Sequence, residues 1–207
     1  MALKTFVKIG GITNLSDARY CSGMYVNLLG FSVEQTSDKY ISPAQFSEIT
    51  GWLSGLEYVG EFETSNADEV LETLKSYPGI SWVEHQNLDT LLNLKNSGFT
   101  LIYKKDIAEV RDHVEEVSET LSEGEIIYHL TSDNETLSNE DLEVKNQLSE
   151  RCEIILGAGI SSENVLDLLT QIAFKGIALT GGNGIKPGLK DFDELADILE
   201  KIEIEEY

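Results

Sequence analysis

Residues Thr5–Gly23 read TFVKIGGITNLSDARYCSG, and the succession of residue types in them is the pattern on which the fold turns. A short β-rich run ends abruptly at Gly10 and Gly11, then passes through Thr13 and Asn14 into a stretch with helical spacing. The same sequence of strand, polar turn and helix recurs along the chain. Its β-rich runs are TFVKIG, VNLLGFSV, EYVGEF, ISWVEH, TLIYKK, EIIYHL, CEIILG and GIALTG. The intervening spacing predicts helices at about 14–24, 43–54, 66–77, 87–96, 106–121, 139–149, 161–171 and 190–202. Start signals accompany several of them: Asn14 ahead of LSDA, Ser42-Pro43 ahead of AQFSEI, and Ser161 three residues before Asn164.

Strand and helix alternate without a Pro- or Ser-rich linker or a shift in composition, which argues for one parallel sheet in one domain spanning 1–207. Eight units close a (β/α)8 barrel. At about 26 residues per unit (207 over eight), the chain lies near the lower size limit for that architecture, so its loops must be short. A doubly wound open sheet is the alternative, since one misread strand would leave an edge.

A hydrophobic content of 41% is enough for a sizeable core. No run of 18 apolar residues occurs and MALKTFVK has no signal-peptide pattern, so a cytoplasmic location is expected. The formal net charge of −22 disfavours nucleic acid and anionic membranes, whose binding rests on neutralising phosphate charge with Lys and Arg. Much of the acid falls in stretches such as EVRDHVEEVSETLSEGE, which read as solvated helix faces. Cys21 and Cys152 are far apart in the sequence and only three histidines accompany them, so they read as small buried apolar residues and not as a zinc site or disulfide.

Ligands of parallel α/β architectures bind at the carboxyl ends of the strands. Two such ends are glycine-rich: LGAGISSENV after the seventh run, with Gly157, Ala158 and Gly159, and LTGGNGIKPG after the eighth, with Gly181 and Gly182. Glycine lets backbone N–H groups approach an anion closely. Short turns alone would explain either loop. Their joint occurrence in the last two units, where barrels of this kind commonly hold phosphate, points to a phosphate site.

Taken in order, VKIGGITNLSDA, GFSV, TSDKYISPAQ, YVGEF, LGAGISSENV and GIALTGGNGIKPGLKD resemble the phosphoribosylanthranilate isomerase family. The resemblance is strong at the two ends and weak from about residue 80 to 150. It implies a (β/α)8 enzyme of tryptophan biosynthesis that performs an Amadori rearrangement on a phosphorylated aminosugar, without metal or organic cofactor. The expected partner is thus a phosphorylated small molecule, with the barrel a monomer or homodimer.

The resemblance also marks departures. The family pattern Lys-Ile-Cys-Gly-Ile-Thr reads here Lys8-Ile9-Gly10-Gly11-Ile12-Thr13, so the cysteine that serves as general base is replaced by glycine. The aspartate that serves as general acid falls on Thr131, with Asp133 two residues on, and the arginine of the family's Ser-Pro-Arg turn falls on Lys39. Counting back from Pro187-Gly188, an aspartate, a serine and a glutamate of the family become Ala178, Gly181 and Gly184.

Two-residue alternation puts Phe6, Lys8 and Gly10 on one strand face, so Lys8 points into the barrel if Gly10 borders the site. A buried lysine needs a partner, which Glu61 or Glu84 could supply, either as an internal ion pair or as a substituted acid or base. The candidates are therefore Asp133 and Glu61 for proton transfer, Lys8 and Lys39 for substrate, and Gly157, Ala158, Gly159, Gly181 and Gly182 for phosphate. His85, His129, Tyr103 and Tyr128 also lie near strand ends, where such residues are more often packed. Three functions fit: an isomerase of the family with relocated groups, a sugar-phosphate isomerase or epimerase of other specificity, and a non-catalytic relative that binds a phosphorylated metabolite.

Overall fold

The computed structural model describes residues 2–134, 136–171, 174–180, 184–186, 189–190 and 193–204. Its first eight strands are β1 (Phe6–Gly10), β2 (Leu28–Ser32), β3 (Glu57–Phe62), β4 (Ile80–His85), β5 (Thr100–Asp106), β6 (Ile127–Thr131), β7 (Ile154–Leu156) and β8 (Gly176–Thr180). They pair in sequence order as a closed parallel barrel. The pairing of β1 with both β2 and β8 removes the edges that an open sheet would have.

The helices are α1 (Leu15–Gly23), α2 (Pro43–Thr50), α3 (Ala67–Leu74), α4 (Leu88–Asn93), α5 (Ile107–Val110), α6 (Val114–Gly124), α7 (Asn139–Ser149), α8 (Val165–Gln171) and α9 (Asp193–Lys201). The Asn14 side chain accepts the amide of Asp17 at the start of α1. Ser42 and Gln45 form a reciprocal capping box around Pro43 at α2, which satisfies amides that have no partner within the helix.

Three expectations are amended. The helix expected over 106–121 is broken: Asp106 closes β5 and caps α5, a 3₁₀ turn spans Arg111–His113, and α6 continues to Gly124. The helix expected from 161 starts at Val165, because the Asn164 side chain folds back to accept the Ser161 amide. Beyond β8 the chain forms a small antiparallel hairpin, β9 (Gly184–Lys186) with β10 (Leu189–Lys190), where only a turn was expected. Cys21 is fully buried, whereas Cys152 is only partly so. Among the described residues, no helix is long and apolar enough to cross a membrane.

The barrel interior is layered, and the layers follow from the period of two along each strand. Phe6, Leu28, Val59, Trp82, Ile102, Ile127, Ile155 and Ala178, one from each strand, form an apolar plug. Two residues nearer the carboxyl end on every strand stand Lys8, Gly30, Glu61, Glu84, Lys104, His129, Gly157 and Thr180. The dry plug thus supports a layer of charge and glycine. On the outer face of the sheet, a larger core that includes Val7, Ile9, Leu29, Phe31 and Val83 packs against the helices.

One buried carboxylate ties two loops above this layer together. Glu34 accepts from the amides of Glu63 at 2.9 Å, Thr64 at 3.1 Å and Ser65 at 2.6 Å, and from the Thr64 and Ser65 hydroxyls. Burial alone would raise its pKa, but the donors from Ser65, Glu63 and Thr64 prevail and hold it at about 2.

Candidate active site

The charged layer is organised around Lys8. Glu61 and Glu84 lie side by side on paired strands, an arrangement that repels unless a cation stands between them. Lys8 Nζ does so, 2.7 Å from Glu61 Oε1 and 3.0 Å from Glu84 Oε2. Burial alone would strip the proton from Lys8, but the Glu61 and Glu84 charges override it and hold the ammonium above its ordinary range. Burial would likewise raise Glu84, and Lys8 foremost, with His129 after it, holds it below the usual carboxylate range. The ion pair expected from the sequence is a bridge to both carboxylates.

The glycines that end β1 and lie in β2 make room for it. A Cβ built on Gly10 would stand 2.8 Å from Glu61 Oε1 and 3.2 Å from Lys8 Nζ. One built on Gly30 would overlap Glu61 Oε1 and approach the Gly10 Cα at 3.1 Å. Glu61 therefore reaches from β3 across β2 to the end of β1, where its other oxygen accepts the Gly11 amide at 3.2 Å. A carboxylate carried by β3, the next strand but one, fills the space that the absent side chain at position 10 leaves.

His129 completes the layer. Its Nδ1 lies 2.8 Å from the same Glu84 oxygen that meets Lys8. Burial lowers the pKa of this imidazole and outweighs the pull of Glu84, so the ring is neutral near neutral pH. Facing an ionised carboxylate, a neutral ring carries its hydrogen on Nδ1 and keeps a lone pair on Nε2. A Cβ on Gly157 would overlap that Nε2, so the glycine that follows β7 provides the room for the imidazole. Lys104 Nζ stands 3.9 Å from Glu84 Oε1, a buried oxygen without a hydrogen bond among the described residues.

These groups form the floor of a cavity of about 670 Å³ at the carboxyl end of the barrel. Of the residues singled out in the sequence, Lys8, Lys39, Glu61, Gly157, Ala158 and Gly159 line this one cavity. Lys39 arches over Gly11, whose φ of +67° lies in the left-handed region that favours glycine; a Cβ there would stand 3.2 Å from Lys39 Nζ. In the loop after β7, the Asn164 side chain donates to Gly159 O, while the amides of Ala158 and Gly159 have no hydrogen-bond partner among the described residues. Gly181 and Gly182 lie outside the described residues; Thr180, just before them, lines the cavity.

Asp133 stands apart from this group. It is exposed and is not among the cavity-lining residues, and its amide donates to Asp106 Oδ2 at 2.8 Å. Thr131 does line the cavity. His85 is held by Ser65 O and the Asn87 amide, and Tyr128 donates to Lys105 O, so both have structural roles. Sequence reasoning passed over Lys104 and the pairing of His129 with Glu84. With the apolar plug known, stepping two residues along β5 and β6 leads to Lys104 and His129.

With this geometry in place, likeness to known proteins runs the length of the chain. The N-(5'-phosphoribosyl)anthranilate isomerase of Gloeothece citriformis is 26% identical over 208 residues, covering 95% of this chain and 93% of that protein. That of Trichormus variabilis is 24% identical over 95% of this chain and 97% of its own. By sequence, the chain is thus similar over its whole length to phosphoribosylanthranilate isomerases. No protein-family model matches it. The phosphoribosylanthranilate isomerase of Thermotoga maritima superposes with a TM-score of 0.77 at 21% identity, covering 96% of this chain and 98% of that one. A phosphoribosylanthranilate isomerase in complex with reduced 1-(o-carboxyphenylamino)-1-deoxyribulose 5-phosphate superposes at 0.75 and 21% identity, with 95% and 97% covered. The fold is therefore that of these isomerases, while the cavity departs from their sequence pattern at Gly10 and Thr131, which both line it.

Proposed function

We propose that the cavity binds a phosphorylated aldose or aldosylamine and converts it to the corresponding ketose derivative, the Amadori-type reaction of the family, with Glu61 as the proton acceptor. The observation that carries this reading is the position of Glu61 Oε1, 2.8 Å from where a Cβ of residue 10 would stand. The family's base acts from residue 10, and here a carboxylate from β3 occupies the same space. Proton abstraction from carbon requires an ionisable group at that spot, and Glu61 restores one.

In this reading, the N–H groups of Ala158 and Gly159, together with the Gly181-Gly182 loop, take the phosphate, and Lys39 closes over it. The three lysines at the cavity, Lys8, Lys39 and Lys104, offset the acidity of the molecule as a whole. Residues 1–207 act as one barrel domain, monomer or homodimer, without metal or organic cofactor. Turnover of phosphoribosylanthranilate itself is weak, because Thr131 cannot act as an acid at neutral pH and Asp133 stands away from the cavity.

A second reading, a sugar-phosphate isomerase or epimerase of other specificity, draws support from the neutral imidazole of His129 beside the carboxylates. The test is turnover by the purified protein of phosphoribosylanthranilate and of a panel of aldose phosphates. Turnover lost in Glu61→Gln supports the reading. Binding of inorganic phosphate with no turnover of any substrate would sink it in favour of a non-catalytic relative.

A further inference from the structure

We infer that His129 is a second proton-transfer residue of this site, moving the hydroxyl proton of the substrate while Glu61 moves the carbon-bound one. The inference deepens the isomerase reading and rests on it. Its basis is geometric. Nδ1 is committed to Glu84, Gly157 has no side chain to cover Nε2, and the ring borders the cavity into which Glu61 also projects. An imidazole with one nitrogen fixed by a carboxylate is oriented for proton exchange at the other, here Nε2, which lies against Gly157 in the lining of the cavity.

The charges around the ring suit a transient cation. Glu84 of β4 touches it directly, while Lys8 of β1 and Lys104 of β5 oppose its protonation, with Glu61 of β3 beyond Lys8. The ring therefore rests neutral, accepts a proton during the reaction and gives it up readily, as an intermediate carrier must.

At the open-chain stage, the substrate carries a double bond from C1 to oxygen or nitrogen and a hydroxyl on C2. Glu61 removes the proton from C2, the electrons of that C–H bond form a C1–C2 double bond, and the former double-bond pair moves onto the C1 heteroatom. His129 Nε2 takes the proton from the C2 hydroxyl and hands it to that heteroatom. The electrons left on the C2 oxygen then form the ketone as the C1–C2 double-bond pair takes up at C1 the proton that Glu61 removed from C2. Every proton and electron pair stays within the substrate and these two side chains, so no oxidant or cofactor enters.

The test combines a variant with a measurement on the unaltered protein. His129→Gln is expected to lower kcat by roughly a hundredfold or more with little change in KM and to abolish the imidazole limb of the pH–rate profile, while inorganic phosphate still binds. Full activity in His129→Gln, with the Glu61→Gln variant dead, would overturn the inference and leave the isomerase reading standing. No turnover by the wild type would remove both. Nitrogen-15 NMR of the wild-type ring covers the case in which the variant fails to fold. Hydrogen on Nδ1 at neutral pH, with Nε2 shifting on addition of ribose 5-phosphate, supports the inference, and hydrogen on Nε2 would refute it.

Discussion

Glu61 occupies the space that a side chain at position 10 would fill, with its carboxylate 2.8 Å from the position of that missing Cβ. Restoring the family's cysteine by Gly10→Cys therefore inserts atoms into an occupied site. We expect a loss of about 1–3 kcal/mol in urea unfolding and no gain in phosphoribosylanthranilate turnover. In a Glu61→Gly background the same substitution should cost less, with a coupling of about 0.5–3 kcal/mol in the double-mutant cycle. Strictly additive effects would show that the two positions do not share this space.

Lys8 bridges two carboxylates, of which Glu84 is almost wholly buried. Lys8→Met keeps an unbranched side chain of nearly the same length and removes its charge, leaving Glu61 without this cation and Glu84 with Lys104 at 3.9 Å. The expected destabilisation is about 3–5 kcal/mol, the range for breaking one side of a buried ion pair. Lys75→Ala, which removes an exposed partner of Glu72, should leave the unfolding midpoint unchanged. Equal effects of the two variants would contradict the burial described here.

Acid should weaken the fold through Glu34. Its folded-state pKa of about 2 lies below the ordinary 4.5, so the stabilisation is complete above about 4.5 and is lost as pH falls towards 2. Glu84, also held low in the folded protein, adds to the same trend. Unfolding curves at a series of pH values should show a slope between pH 4.5 and 2 that is shallower in Glu34→Gln, once that variant's lower stability at neutral pH is subtracted. An unchanged slope would remove Glu34 from the account.

Gly157 tests the seat of the imidazole. Its backbone is not in the left-handed region, so Gly157→Ala is opposed by sterics alone, namely overlap with His129 Nε2 and approach to Leu130 O at 3.0 Å. We expect a loss of about 1–3 kcal/mol and a changed His129 ring signal. A variant as stable as the wild type with an unmoved ring signal would show that the ring does not depend on this glycine.

All eight barrel strands were legible in the sequence, because short β-rich runs between turns and helical stretches are local signals. The details that escaped depend on side-chain competition. Asn164 turns back on Ser161 and delays α8, and Asp106 serves β5 and α5 at once. The inward direction of Lys8 could be read from its alternation with Phe6 and Gly10. Of the adjacent Lys104 and Lys105, alternation alone could not say which enters the barrel; the packing of Ile102 in the plug assigns Lys104, while Lys105 turns out to Glu109. The departure at Gly10 was legible as a loss. That Glu61 fills the gap depends on a second glycine, Gly30, on the strand between them, a relation between three strands that no single segment encodes.

The aperture at Gly30 carries one last implication. In a ring closed without seams, a reactive group need not be inherited at a fixed address: it can migrate to a stave further round, provided the stave between is bare. Chemistry in such a vessel belongs to a location in space, and descent can hand it from one segment of chain to another while the vessel itself stays the same.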